Sequence, residues 1–330
     1  MRILCLHPWG TSGVIFEKQL GTLNDMLGPT HEYVSINGSI PCGPARDLPD
    51  FVKGPYYCWY EGLSSPQCQE AHDIITETIE EEGPFDGVIG FSQGASLALS
   101  FILHHELHNP GLPSPFRFAL FFCSNLVISP DPKFNADKIV KYSRYYKPVD
   151  HEMKPVANID VDEELDDQDR AEAEEKDDKE GRENGTRQTG PAVNGAKLKA
   201  APKHRALLLL PGKKEALVEE LVHLVNEMSG NLPGQADASS HLWPKDGTPE
   251  DFPRLMHPLT LKARVSIPSV HVIGQGDPLR RHGELAVRLC DKKKTKVVYF
   301  NGGHRIPTAL PTLRAITTAV EWAMQKGQLM

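Results

Sequence analysis

Phe85-Asp86-Gly87-Val88-Ile89-Gly90-Phe91-Ser92-Gln93-Gly94-Ala95-Ser96 is the stretch whose reading decides the fold of this chain. Val88, Ile89 and Phe91 make an apolar run suited to a buried strand, while Leu97, Leu99, Ile102 and Leu103 recur at helical spacing between Gln93 and His105. The G-x-S-x-G pentapeptide Gly90–Gly94 therefore falls on the turn between a strand and a helix, with Ser92 at its tip. Such a turn needs small residues beside the serine, because a Cβ at Gly90 or Gly94 would hold strand and helix apart. The pattern is that of a nucleophile elbow, in which the backbone N–H after the serine, that of Gln93, faces a developing oxyanion.

A serine hydroxyl is a weak nucleophile at neutral pH and needs a base to take its proton and a third group to orient that base. Both lie downstream, each just past a strand-like run. Asp277 follows Val270-His271-Val272-Ile273 in the loop Gly274-Gln275-Gly276-Asp277, and His304 follows Val297–Phe300 in Asn301-Gly302-Gly303-His304. Loops at the C-terminal edge of a parallel sheet are where sites collect. The chain order Ser92, Asp277, His304 is that of the α/β-hydrolases. With 14 histidines in the chain, it is the address of His304, not its identity, that singles it out. The second oxyanion donor should come from the loop after the first strand, and the N–H of Trp9 is the expected one, with His7 bracing the loop.

The rest of the chain fits this frame. Arg2–Leu6 reads as a first strand, followed by a helix from Val14 with Ser12 as its cap, then a strand over His31–Ile36. Gln67–Glu82 is an amphipathic helix stopped by Gly83-Pro84, and Phe116–Cys123 a buried strand. After a break the rhythm resumes with a strand over Ile267–Gly274, a helix from His282 to Cys290, a strand over Lys296–Phe300 and a helix over Thr308–Gln325. Strand and helix alternation predicts an α/β fold: a mostly parallel central sheet with helices on both faces, in one domain over residues 1–330.

Two excursions interrupt it. Residues 36–66 are rich in Gly and Pro and read as a loop, whose Tyr56, Tyr57, Trp59 and Tyr60 either line a substrate pocket beside the elbow or are packed rings of a surface excursion. Residues 130–265 form an insertion. Its stretch from about Ile159 to Leu198 is too polar to order itself, and Ala216–Met228 reads as a helix within it. The formal charge of −8 is local: Asp160–Glu183 holds 14 acidic and 4 basic residues, leaving the remainder at about +2. No basic patch interleaved with aromatics suggests nucleic acid. The six cysteines lack C-x-x-C spacing and read as free thiols, and neither a metal site nor a cofactor is called for. The N-terminal apolar run is too short for a signal peptide and no run of about 18 apolar residues occurs, so a soluble, cytoplasmic protein with no membrane partner is expected.

At these residues the chain resembles the fungal "family of serine hydrolases" (FSH) branch of the α/β-hydrolases. The resemblance covers Arg2–Asn125 and Ile267–Gln325. It rests on Ile3-Leu4-Cys5-Leu6-His7, Gly10-Thr11 with Phe16 and Gln19, the elbow stretch, His271-Val272-Ile273-Gly274 with Asp277, and Gly302-Gly303-His304 with Pro307. It implies a serine esterase or thioesterase acting on a small ester or acyl thioester. It further implies release of an acyl or polyketide chain from a carrier-protein domain in secondary metabolism, with general carboxylesterase work as the near alternative. An inactive hydrolase-fold scaffold is the alternative of another class. Pro8 departs from the family, which carries Gly there; the substitution removes a backbone donor and stiffens the loop. Nothing transfers onto the insertion.

Overall fold

The computed structural model describes residues 1–142, 211–231 and 252–330. The acidic stretch, Ala206–Leu210 and Trp243 lie outside them. Six strands form one parallel sheet: β1 (Arg2–Leu6), β2 (Glu32–Ile36), β5 (Gly87–Phe91), β6 (Phe118–Phe122), β7 (Ser269–Gly274) and β8 (Thr295–Phe300). Their spatial order is β2-β1-β5-β6-β7-β8. Every residue of β5, β6 and β7 is buried, as strands covered on both faces must be, whereas the edge strands β2 and β8 are mostly part-buried or exposed.

Period-two alternation divides the core. Ile3 and Cys5 face one side with Ile89, Leu120 and Val272, and helices α1 (Gly13–Leu27) and α7 (Leu310–Gln328) cover them with Phe16, Leu20, Ile316 and Val320. Leu4 and Leu6 face the other with Val88 and Phe121, beneath α2 (Ser65–Glu82), α3 (Gln93–His108) and α6 (Arg280–Arg288). From β1 the chain turns outward to β2, then crosses back to place β5 on the far side of β1. The loops leaving β1 and β5 thus part in opposite directions, which opens a crevice at the C-terminal edge.

Element ends agree with the sequence reading to within a few residues, and Ser12 caps α1 as expected, its Oγ accepting from Ile15 N–H at 3.4 Å. Two features depart from it. Residues 36–66, expected as loop, contain a short antiparallel pair, β3 (Ile40–Pro41) with β4 (Tyr57–Cys58), tied to the first loop by Tyr57 N–H to Thr11 O at 2.7 Å. The insertion opens with a helix, α4 (Ala136–Tyr142), and its second helix, α5, runs over Pro211–Asn231, longer than its apolar period indicated. The stretch from residue 252 to 268 holds no helix or strand, yet Met256, His257, Leu259 and Val265 are buried and Leu255 is bridged to Ile128. All six cysteines are free, five of them buried and Cys42 partly so. Among the described residues no helix is long and apolar enough to cross a membrane.

Candidate active site

Ser92 sits at φ 53° and ψ −115°, in the left-handed half of the map that a side chain enters only under constraint. The constraint is the meeting of β5, α3 and β1. A Cβ on Gly94 would run into the carbonyl oxygens of Leu6 and His7, and one on Gly90 into the backbone of Gly94 and Ala95. The two glycines let the elbow close, and Ser92 N–H donates to Phe122 O at 2.9 Å, pinning the turn to β6.

The three residues expected to act together do converge, across 212 residues of sequence between Ser92 and His304. His304 Nε2 lies 2.8 Å from Ser92 Oγ, and His304 Nδ1 lies 2.8 Å from Asp277 Oδ2. Asp277 Oδ1 accepts from Leu279 N–H at 2.8 Å, which leaves the carboxylate no freedom to turn. Burial works against its charge. The hydrogen bond to His304 and that ring's charge outweigh burial, with the Leu279 amide helping, and the Asp277 carboxyl is held below its usual range. With Nδ1–H given to Asp277, Nε2 presents its lone pair to the serine hydroxyl, as a base must. His304 packs on Phe91 at a centroid distance of 5.3 Å.

The Cys123 thiol completes this corner, its Sγ within 4.8 Å of the acidic and imidazole ligand atoms. Burial pushes that thiol well above its ordinary pKa, so it stays neutral. A cation held by the three would take His304 from Asp277 or from Ser92, which is incompatible with the relay.

Trp9 and Gln93, whose N–H groups were expected as oxyanion donors, border one cavity of about 60 Å³, and neither N–H is hydrogen-bonded to protein among the described residues. The loop bearing Trp9 is braced by His7, as expected, together with Thr11. Pro8 O accepts from His7 Nδ1–H at 2.8 Å and from Thr11 Oγ1–H at 2.9 Å. Because the peptide is planar and trans, fixing the Pro8 carbonyl fixes the Trp9 N–H on its opposite side. Gly38 N–H donates to His7 Nε2 at 2.9 Å, which sets the tautomer, and burial lowers the His7 pKa to about 4, so the ring is neutral.

The aromatic cluster takes up different stations. Tyr60 lines the cavity, together with Leu63, Leu126 and Met228. Trp59 does not. It is buried, stacks on His7 at 4.9 Å, and donates its indole N–H to His7 O at 2.8 Å. Its backbone N–H donates to Gln93 Oε1 at 3.0 Å, while Gln93 Nε2 donates to Tyr60 O at 2.6 Å. Trp59 is thus a strut joining the two donor-bearing loops, because an indole that large is accommodated only where its one polar atom finds an acceptor. Tyr56 donates to Val52 O at 2.8 Å and Tyr57 pairs with the first loop; neither borders the cavity. Met228, from the insertion helix, is a lining residue that sequence reading missed, as are Leu63, Asn125 and Leu126. The place of Met228 at the apolar end of the Ala216–Met228 period was the available signal.

A six-stranded parallel sheet of this order, an elbow serine and a Ser–His–Asp relay define a serine hydrolase of the α/β-hydrolase fold. The profile of the family described as serine hydrolase (FSH1) matches residues 1–157 and 228–316, and the chain belongs to that family of ester-hydrolysing enzymes. It is 32% identical over 329 residues to esterase alnB of Emericella nidulans, an alignment covering 99% of this chain and 98% of that protein. It is 42% identical over 129 residues to esterase FPY3 of Fusarium mangiferae, covering 38% of this chain and 58% of that protein. Hydrolase FUB4 of Fusarium oxysporum f. sp. lycopersici is 34% identical over 123 residues, 37% of this chain and 46% of that protein.

Proposed function

We propose that the protein hydrolyses an ester or thioester through an acyl-serine intermediate, with Ser92, His304 and Asp277 as its catalytic residues. The observation that carries this is the pair of 2.8 Å links from Asp277 through His304 to Ser92. Ser92 Oγ attacks the acyl carbon as its proton passes to His304 Nε2, and the oxyanion takes the N–H groups of Gln93 and Trp9. Collapse of the tetrahedral intermediate breaks the bond to the alkoxide or thiolate, which leaves with the proton from His304. A water then repeats the attack, losing its proton to His304, and the acid departs as Ser92 regains its hydrogen. Asp277 keeps Nδ1–H in place throughout and stabilises the imidazolium.

The finer reading is release of an acyl or polyketide chain from a carrier protein, supported by the family resemblance and the apolar Leu63, Leu126 and Met228 beside the donors. General carboxylesterase activity on small esters is favoured by the size of that cavity: at on the order of 10–15 Å³ per water, about 60 Å³ admits a short acyl group. A fluorophosphonate probe is the test. It should label the wild type at Ser92 and fail to label Ser92→Ala; equal labelling of the two proteins would remove Ser92 as nucleophile.

A further inference from the structure

Asn125 has no role in the chemistry above, yet it borders the same cavity as the two oxyanion donors. It is reached from the end of β6, where Cys123 takes a positive φ of 42° and turns the chain toward the elbow. The residue is 8% exposed, and its carboxamide makes no hydrogen bond with protein among the described residues; Oδ1 is both buried and unpartnered. A buried carboxamide without partners costs about 1–3 kcal/mol. Groups of this kind in a pocket are commonly those that a bound molecule satisfies. Around it Leu63, Leu126 and Met228 make an apolar part of the wall, and Cys42, Tyr60 and Glu61 a more polar one. The cavity therefore offers, next to the oxyanion donors, a buried amide oxygen that no protein group satisfies.

We propose that Asn125 reads a hydroxyl on the acyl chain close to the scissile carbonyl, making the preferred substrate a short hydroxyacyl ester or thioester. A hydroxyl donates to Oδ1 and can accept from Nδ2, so it answers the carboxamide in either orientation. A keto oxygen answers only Nδ2 and leaves Oδ1 orphaned. A plain methylene answers neither. The inference rests on the acyl-serine reading, since it takes the carbonyl to lie at the N–H groups of Gln93 and Trp9.

The test compares ethyl 3-hydroxybutanoate, ethyl 3-oxobutanoate and ethyl butanoate, each kcat/KM divided by the ester's own hydroxide-catalysed rate. The same series is run on Asn125→Leu and Asn125→Asp. The wild type should favour the hydroxy ester over butanoate by roughly tenfold, the worth of one hydrogen bond of about 1.4 kcal/mol. Asn125→Leu should bring that ratio near one, while Asn125→Asp, which keeps an acceptor, should retain it for the hydroxy ester and lose any preference for the oxo ester. A wild-type ratio near one, or a ratio unchanged in Asn125→Leu, with Ser92 still labelled by fluorophosphonate in every protein, overturns the inference and leaves the hydrolase reading standing. An equal gain for 2-hydroxyethyl butanoate would put the hydroxyl on the leaving group, and that too overturns it. Absence of both hydrolysis and labelling in the wild type would bring down the acyl-serine reading, and this inference with it. Labelling of both variants at wild-type rate shows that their folds are intact.

Discussion

At the scale of single residues, Asp277 does two things that a change to asparagine would separate. Asp277→Asn preserves shape but offers an N–H where His304 Nδ1–H now finds an acceptor, so the ring is driven to the other tautomer and Nε2 loses its lone pair. Turnover of a small ester should fall about 10⁴-fold with little change in melting temperature. A rate within tenfold of wild type would mean that another acceptor orients His304. Trp59 makes a different case. In Trp59→Phe the ring survives but the donor to His7 O is gone, leaving that buried carbonyl unsatisfied and the strut between the loops slack. We expect kcat to drop roughly tenfold with KM less affected, since the donors at stake act on the oxyanion and not on the ground-state ester. A change confined to KM would instead assign Trp59 to substrate binding.

At the scale of elements, helix α5 brings the insertion to the site. Leu224, Val225 and Met228 pack on Leu126 and Leu285, and Glu227 pairs with Arg281 of α6 at 3.0 Å. Burial raises the Glu227 carboxyl, but the His282 ring 3.5 Å away and the charge of Arg281 reverse this and hold it below its ordinary value, so the contact is ionic at neutral pH. Because Met228 lines the cavity, Met228→Ala should admit a longer chain. Hexanoyl over acetyl ester selectivity should rise, by up to about 0.8 kcal/mol for each methylene newly buried. An unchanged chain-length profile across two to eight carbons would show that Met228 does not bound the acyl site.

At the scale of the whole molecule, several histidines are locked in the neutral form by burial. The His7 pKa is lowered to about 4, and those of His72 and His271 to about 3. His72 Nε2 meets Ser100 Oγ at 3.0 Å and His271 Nε2 meets Cys290 Sγ at 3.3 Å, neither of which compensates a charge. In the unfolded chain these rings take up protons below about pH 6.5, while the folded protein resists until pH 3–4. The unfolded state therefore binds more protons across that window, and stability falls as pH drops from about 6.5 toward 4. Each tenfold loss of proton affinity on folding corresponds to about 1.4 kcal/mol. Urea unfolding midpoints measured at pH 7, 6, 5 and 4 should decline progressively, with the slope reduced in His271→Gln. A flat series would mean that these rings are hydrated in solution.

Local pattern alone specified the elements and the addresses. Apolar runs of period two and 3.6 marked β1, β5, β6, β7 and their helices. The G-x-S-x-G turn placed Ser92, and the order of strands put Asp277 and His304 on loops of one edge, because a parallel sheet sends every strand's C-terminus the same way. What local pattern could not carry is any bond whose partners are far apart in sequence and chosen by packing. In sequence Trp59 stays open between pocket wall and packed ring because an aromatic in a loop looks the same whether it faces ligand or core; the indole's partner, His7 O, lies 52 residues away. Met228 likewise became a cavity residue only when α5 docked on Leu126, and the unpartnered state of the Asn125 carboxamide exists only in the folded chain. Sequence periodicity records which face of an element is buried; what that face is buried against is decided by the tertiary fold.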